Sequence, residues 1–158
     1  IPLRRLAPEG STCGGRSAPA QRAVRLDRSG AFYVPEQSGQ GLVFDFHPAS
    51  EGRAGHFSAA WFTYDVRADD PTSQHWFTLA GPVSGAGASI DVTIYRTTGG
   101  ALDADPTTNT FRVGTATVRF ADCDKVALDY RFDVADVAHE FSGRRGTLEL
   151  RRVGACPL

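Results

Sequence analysis

The chain has 158 residues, enough for one domain with a real hydrophobic core. Its 17 Lys and Arg nearly balance its 18 Asp and Glu, so no general electrostatic pull toward nucleic acid or an anionic membrane is expected. Apolar residues make up 41% of the chain, which excludes intrinsic disorder, and no apolar run approaches the roughly 20 residues of a membrane-spanning helix.

Residues 1–29, rich in Arg, Gly, Pro and Ala, read as an extended N-terminal arm, and residues 30–158 as a single β domain. The sequence has no methionine, and the arm is expected to follow a removed signal peptide. Ala31–Val34 reads as a short first strand, and Arg22–Leu26 is a further edge-strand candidate. In Leu42–His47, the residues Leu42, Phe44 and Phe46 share one face, against Val43, Asp45 and His47 on the other. Phe57–Tyr64 and His75–Leu79 are apolar on both faces: Phe57 and Trp61 oppose Phe62 and Tyr64, while Phe77 and Leu79 oppose Trp76. Such strands fit burial on both sides, or a lined cavity on one side and a covering arm or partner on the other. In Ser89–Tyr95, Ile90, Val92 and Ile94 alternate with Asp91, Thr93 and Tyr95. Phe111–Phe120 continues the series. Leu128, Tyr130 and Phe132 alternate within Val126–Phe132, as do Leu148 and Leu150 within Thr147–Arg151. Turns rich in Gly, Pro, Asp and Ser separate these segments, and only Ala135–Glu140 leaves room for a few helical residues. The pattern predicts an all-β fold, an eight-stranded antiparallel meander β-barrel with an extended N-terminal arm.

The three cysteines, Cys13, Cys123 and Cys156, lack zinc-ligand or CxxC spacing. In a meander, Cys123 and Cys156 each follow a strand running in the same direction and reach the same end, so a Cys123–Cys156 disulfide is expected. Cys13–Cys156 is the alternative. A disulfide points to a periplasmic or secreted location.

Several fragments in combination carry a resemblance. They are Phe32, Tyr33, Pro35, Ser38, Gly39 and Gly41; then Ala60 through Asp65; then Trp76, Phe77, Gly81 and Gly85. Tyr95, Arg96, Thr98, Gly99 and Gly100 follow, with Gly114, Thr115, Phe120, Asp122 and Cys123. Over residues 30–152 the chain resembles an uncharacterised all-β domain that recurs in secreted and periplasmic proteins of proteobacteria, with Phe32 where that family usually carries Trp. The resemblance implies an all-β extracytoplasmic domain and transfers no catalytic residues. A looser, purely topological likeness is to streptavidin and lipocalin barrels, which close around one small ligand.

The candidate ligand-binding residues are Tyr33, Gln37, Ser38 and Gln40 around a Gly-flanked turn, together with Trp61, Tyr64, Trp76, Tyr95 and Arg96. Polar loops at a barrel mouth commonly contact ligands, and Trp and Tyr combine an apolar body with a polar tip. The plainer reading is a tight bend for the turn and core filling for the aromatics. Asp45 and His47 share a strand face, and with His75 they form a constellation for hydrolase or isomerase chemistry, with Ser38 as a conceivable nucleophile, or for a metal. No GxSxG elbow or HExxH spacing accompanies them. Asp103 and Asp105 resemble a calcium loop only faintly. Arg144–Arg145 and Arg151–Arg152 read as exposed strand-end charges, with anion binding as the alternative.

The sequence thus predicts a periplasmic or secreted binding module that holds a small or glycan-like ligand at the barrel mouth. The alternatives are a protein-interaction domain, with a solid barrel and an exposed apolar patch, and a small enzyme. No cofactor, metal, nucleic acid or membrane insertion is expected.

Overall fold

The alternating segments become the staves of a closed wall in the computed structural model, which describes residues 28–47, 49–65, 74–83, 88–133 and 140–156. Cys13, Arg22–Leu26 and residues 135–139 of the helical candidate lie outside the described residues. Eight strands run in chain order: β1 (Gly30–Tyr33), β2 (Gly41–His47), β3 (Gly55–Tyr64), β4 (Gln74–Val83), β5 (Ser89–Thr98), β6 (Asn109–Phe120), β7 (Lys125–Phe132) and β8 (Arg145–Arg152). Each pairs antiparallel with the next, and β1 pairs with β8 to close the barrel. Among the described residues no segment is helical. The connections β1–β2, β3–β4, β5–β6 and β7–β8 lie at one end, here the upper end. Arg28, Cys156 and the other three connections lie at the lower end.

Inward faces fill the barrel with side chains. Phe44 sits among Phe32, Phe46, Phe57 and Phe120, with ring centroids 4.8–6.0 Å away. Toward the upper end Phe132 packs against Trp61, Phe77, Tyr130 and Phe141 at 5.1–5.8 Å. Leu42, Leu79, Ile94, Val118, Leu128 and Leu150 fill the space between these ring clusters, all fully buried. Burying one such side chain stabilises the fold by about 1.5–3 kcal/mol, which is why the alternation dictates register. The dual-apolar strands β3 and β4 have their inner faces in this core, while Phe62 and Trp76 on their outer faces stay exposed.

Two details depart from a plain meander. β4 continues through Pro82 to Val83 rather than turning at Gly81. In β6 the register against β5 shifts between Ile94 and Tyr95, which pair with Gly114 and Arg112. Val113 is the extra residue of that bulge; its carbonyl accepts from the Asp133 amide at 2.9 Å.

The lower end is tied shut. Cys123 and Cys156 form a disulfide with Cα atoms 5.8 Å apart, as the meander predicts, and this bond fits an oxidising, extracytoplasmic environment. Arg152 is not an exposed strand-end charge. It is buried, and its guanidinium donates to the carbonyls of Cys123, Ser29 and Arg28 while lying 4.7 Å from the centroid of Phe32. Asp122 accepts the backbone amides of Asp124 and Lys125, which holds its carboxyl below the usual carboxylate range. That contribution is present above the ordinary carboxylate pKa and is lost as pH falls through the lowered value.

Candidate functional site

The β1–β2 turn spends its polar groups on itself. Val34 and Gln40 close the turn through the Val34 amide at 3.1 Å, and the Gln40 amide side chain donates to Gln37 at 2.7 Å. Gln40 in turn accepts from the Thr63 hydroxyl at 2.9 Å. Gly39 sits at φ 81°, and a Cβ there would strike the Tyr64 hydroxyl, so Tyr64 is a brace across the bend. Ser38 is exposed at the tip.

The aromatic candidates separate by strand parity. Trp61 points inward, buried between Phe77 and Tyr130, and its Nε1 is buried without a hydrogen-bond partner. Tyr33, Trp76 and Tyr95 point outward. In register across the sheet, Tyr33 pairs with Gly41, Gly41 with Phe62, and Phe62 with Trp76. The result is one row of rings on the outer wall, with Tyr33 44%, Phe62 46% and Trp76 53% exposed. Gly41 leaves a notch between the rings of Tyr33 and Phe62. A Cβ at this position would collide with the Phe32 carbonyl, so no side chain fills the notch. The next outer row runs Ala31, Val43, Ala60, Thr78, Tyr95, of which Val43 is exposed. The opposite wall is polar and self-satisfied: Thr117 donates to Asp91 at 2.7 Å, Thr147 to Asp129 at 2.6 Å, and Arg119 pairs with Asp129.

The upper end gathers charge above the ring cluster. Extending the β3 alternation past Thr63 brings Asp65 to the inner side, and β4 brings His75 beside it. His75 Nε2 lies 3.2 Å from Glu140 Oε1 and 4.0 Å from Asp65 Oδ2. Arg96, on the inward face of β5, approaches the same Glu140 oxygen at 3.8 Å. Phe141, adjacent to Glu140, plugs the barrel and meets the His75 ring edge-on at 5.0 Å.

Of the sequence candidates, the structure brings Arg96 and His75 together. It does not assemble the Asp45, His47 and His75 constellation. Asp45 and His47 lie on the outer face of β2 toward the lower end. There Asp45 accepts from Ser29 at 2.7 Å and His47 contacts the Ser58 hydroxyl at 3.0 Å. Through β3, His47 pairs with His56 and His75 with Thr63, so about 23 Å of strand separates them at ~3.3 Å per residue. Asp65 and Glu140 were missed as site residues. Parity signals Asp65, whereas Glu140 sits in a stretch with no period.

No family model, curated protein or solved structure matches the chain.

Proposed function

We propose that the chain is an extracytoplasmic binding module, periplasmic or secreted, that engages a protein partner through the aromatic outer wall of β1–β4. The observation that supports this reading is the in-register row Tyr33, Gly41, Phe62 and Trp76 on a barrel whose inside is filled by its own side chains. Exposed apolar patches rimmed by polar groups mark interaction sites, and Trp and Tyr dominate binding energy at protein interfaces. Gln37, Ser38 and Glu36 at the turn, and Arg151 paired in register with Tyr33, supply such a rim. The filled interior argues against enclosure of a small ligand; of the aromatic residues singled out in the sequence, Tyr33, Trp76 and Tyr95 face outward, while Trp61 belongs to the core.

The test compares the wild type with Phe62→Ser and Trp76→Ala in cross-linked capture from the extracytoplasmic fraction of the source cells, quantified by mass spectrometry. A partner that uses this wall loses about 2 kcal/mol, roughly 30-fold in affinity, in either variant. Both variants stay folded with a cost of about 1 kcal/mol or less, because roughly half of each ring projects from the outer wall. Recovery of the same proteins by all three forms refutes the reading. A co-purified small-molecule or glycan mass in native mass spectrometry replaces it with the ligand-binding one.

A further inference from the structure

We propose that the upper end carries a divalent-cation site formed by Asp65, His75 and Glu140, suited to a first-row ion such as Zn²⁺. One ligand atom from each residue lies within 4.8 Å of the other two. Around a tetrahedral Zn²⁺ with bonds near 2.1 Å, ligand atoms lie about 3.4 Å apart. The observed 3.2 Å between His75 and Glu140 meets that spacing, and the 4.0 Å between His75 and Asp65 exceeds it, so an ion would draw the Asp65 carboxylate inward.

Three features beyond proximity favour an ion here. The donors come from three separate parts of the chain, the end of β3, the start of β4 and the β7–β8 connection, so a single ion would cross-link the upper end. The imidazole is oriented by packing: Phe141 lies edge-on to it, and Phe141 in turn rests on Phe77 at 5.1 Å. Nε2 is thereby turned toward both carboxylates without a ligand having to order it. The His75 imidazole rests on the ring cluster of Phe141, Phe77 and Phe132, and all three donors are partly buried, where a bridging cation gains more than it does in bulk water.

The donor set narrows the ion. One imidazole nitrogen with two carboxylate oxygens suits Zn²⁺ and its first-row neighbours better than Ca²⁺ or Mg²⁺, which take oxygen ligands. Three protein donors leave a fourth tetrahedral position for water or an incoming group. Arg96, 3.8 Å from the same Glu140 oxygen, lies beside the site at ion-pair distance.

The experiment uses the full chain freed of metal by chelation. Zn²⁺ is titrated by calorimetry, stoichiometry is read by elemental analysis, and Co²⁺ serves as a spectroscopic probe of tetrahedral coordination. One equivalent is expected to bind. His75→Gln and Glu140→Gln each weaken binding by about 100-fold or more. Because His47 and His56 are neighbours on the outer wall with ring centroids 6.3 Å apart and form the competing histidine pair, the double variant His47→Gln/His56→Gln binds as the wild type does. Circular dichroism confirms folding, and Asp65→Asn replaces any variant that fails it. The proposal falls on any of three results. These are no binding at about 0.1 mM free Zn²⁺, full binding that survives both His75→Gln and Glu140→Gln, or binding lost only in the His47/His56 variant.

Discussion

The lower end of the barrel locks its polar groups to the backbone, whereas the upper end gathers ionisable side chains from three parts of the chain around His75. At the lower end the Arg152 guanidinium donates to three backbone carbonyls, Asp122 accepts two amides and a disulfide joins Cys123 to Cys156. At the upper end His75 stands between two carboxylates, Arg96 reaches Glu140 only at ion-pair distance, and the Trp61 indole nitrogen is buried without a hydrogen-bond acceptor. Buried polar groups that are satisfied stabilise a fold, while unsatisfied ones cost about 1–3 kcal/mol each. The difference teaches that the lower end is built for stability, while the upper end carries polar groups that the fold does not need.

Mutations can break that contrast. The largest effect belongs to the double variant Cys123→Ser/Cys156→Ser. It opens a covalent loop with a sequence separation of 33, for which chain entropy gives about 3–4 kcal/mol, readable by urea denaturation. A loss under about 1 kcal/mol shows that the disulfide merely decorates a lower end held by Arg152. Arg152→Met comes next. It removes three charge-assisted hydrogen bonds and leaves the carbonyls without their donor, with an expected cost of about 2–3 kcal/mol. Hydrogen exchange should accelerate in β1 more than in β6 or β7, and uniform acceleration would mean that Arg152 serves the core rather than the seam. Trp61→Phe is the smallest. It forfeits indole packing but removes the orphaned N–H, so the change stays within about 1 kcal/mol although the residue is buried. A loss of 3 kcal/mol or more, as about expected for truncating a large core ring, would show that the indole nitrogen is satisfied in solution and that the contrast between the ends is weaker.

Much of the fold was legible because each strand repeats one physical signal. Leu42, Phe44 and Phe46, or Ile90, Val92 and Ile94, can satisfy the hydrophobic effect only with one face inward, and short turns leave little topology but a meander. The disulfide followed from the same logic, since strand direction placed Cys123 and Cys156 at one end. What failed to show were features that depend on contacts between distant strands. Arg152 reads as a surface charge until Phe32, Ser29 and Cys123 are seen around it. Val113 hides its bulge inside an apparently continuous β6. The outer-wall row needs the register of four strands before Tyr33, Phe62 and Trp76 become one surface, although the apolar outer faces of β3 and β4 hinted at it. Residue type alone groups His75 with Asp45 and His47, which share neither its face nor its end of the barrel. Its true neighbours, Asp65 and Glu140, come from a strand end and a connection, where alternation has little left to say.

The seam between β1 and β8 has a mechanical consequence. β1 has 4 residues, and its register with β8 comprises two pairs. The disulfide joins positions that both follow β1 in the chain, so no covalent bond secures that strand. Tension entering through the chain ahead of Arg28 meets the Arg152 clamp on Arg28 and Ser29 and then loads the shortest strand. Tension entering after Cys156 passes through the disulfide to Cys123 and bypasses β8. The barrel therefore resists pulling unequally from its two sides, with β1 as the fuse.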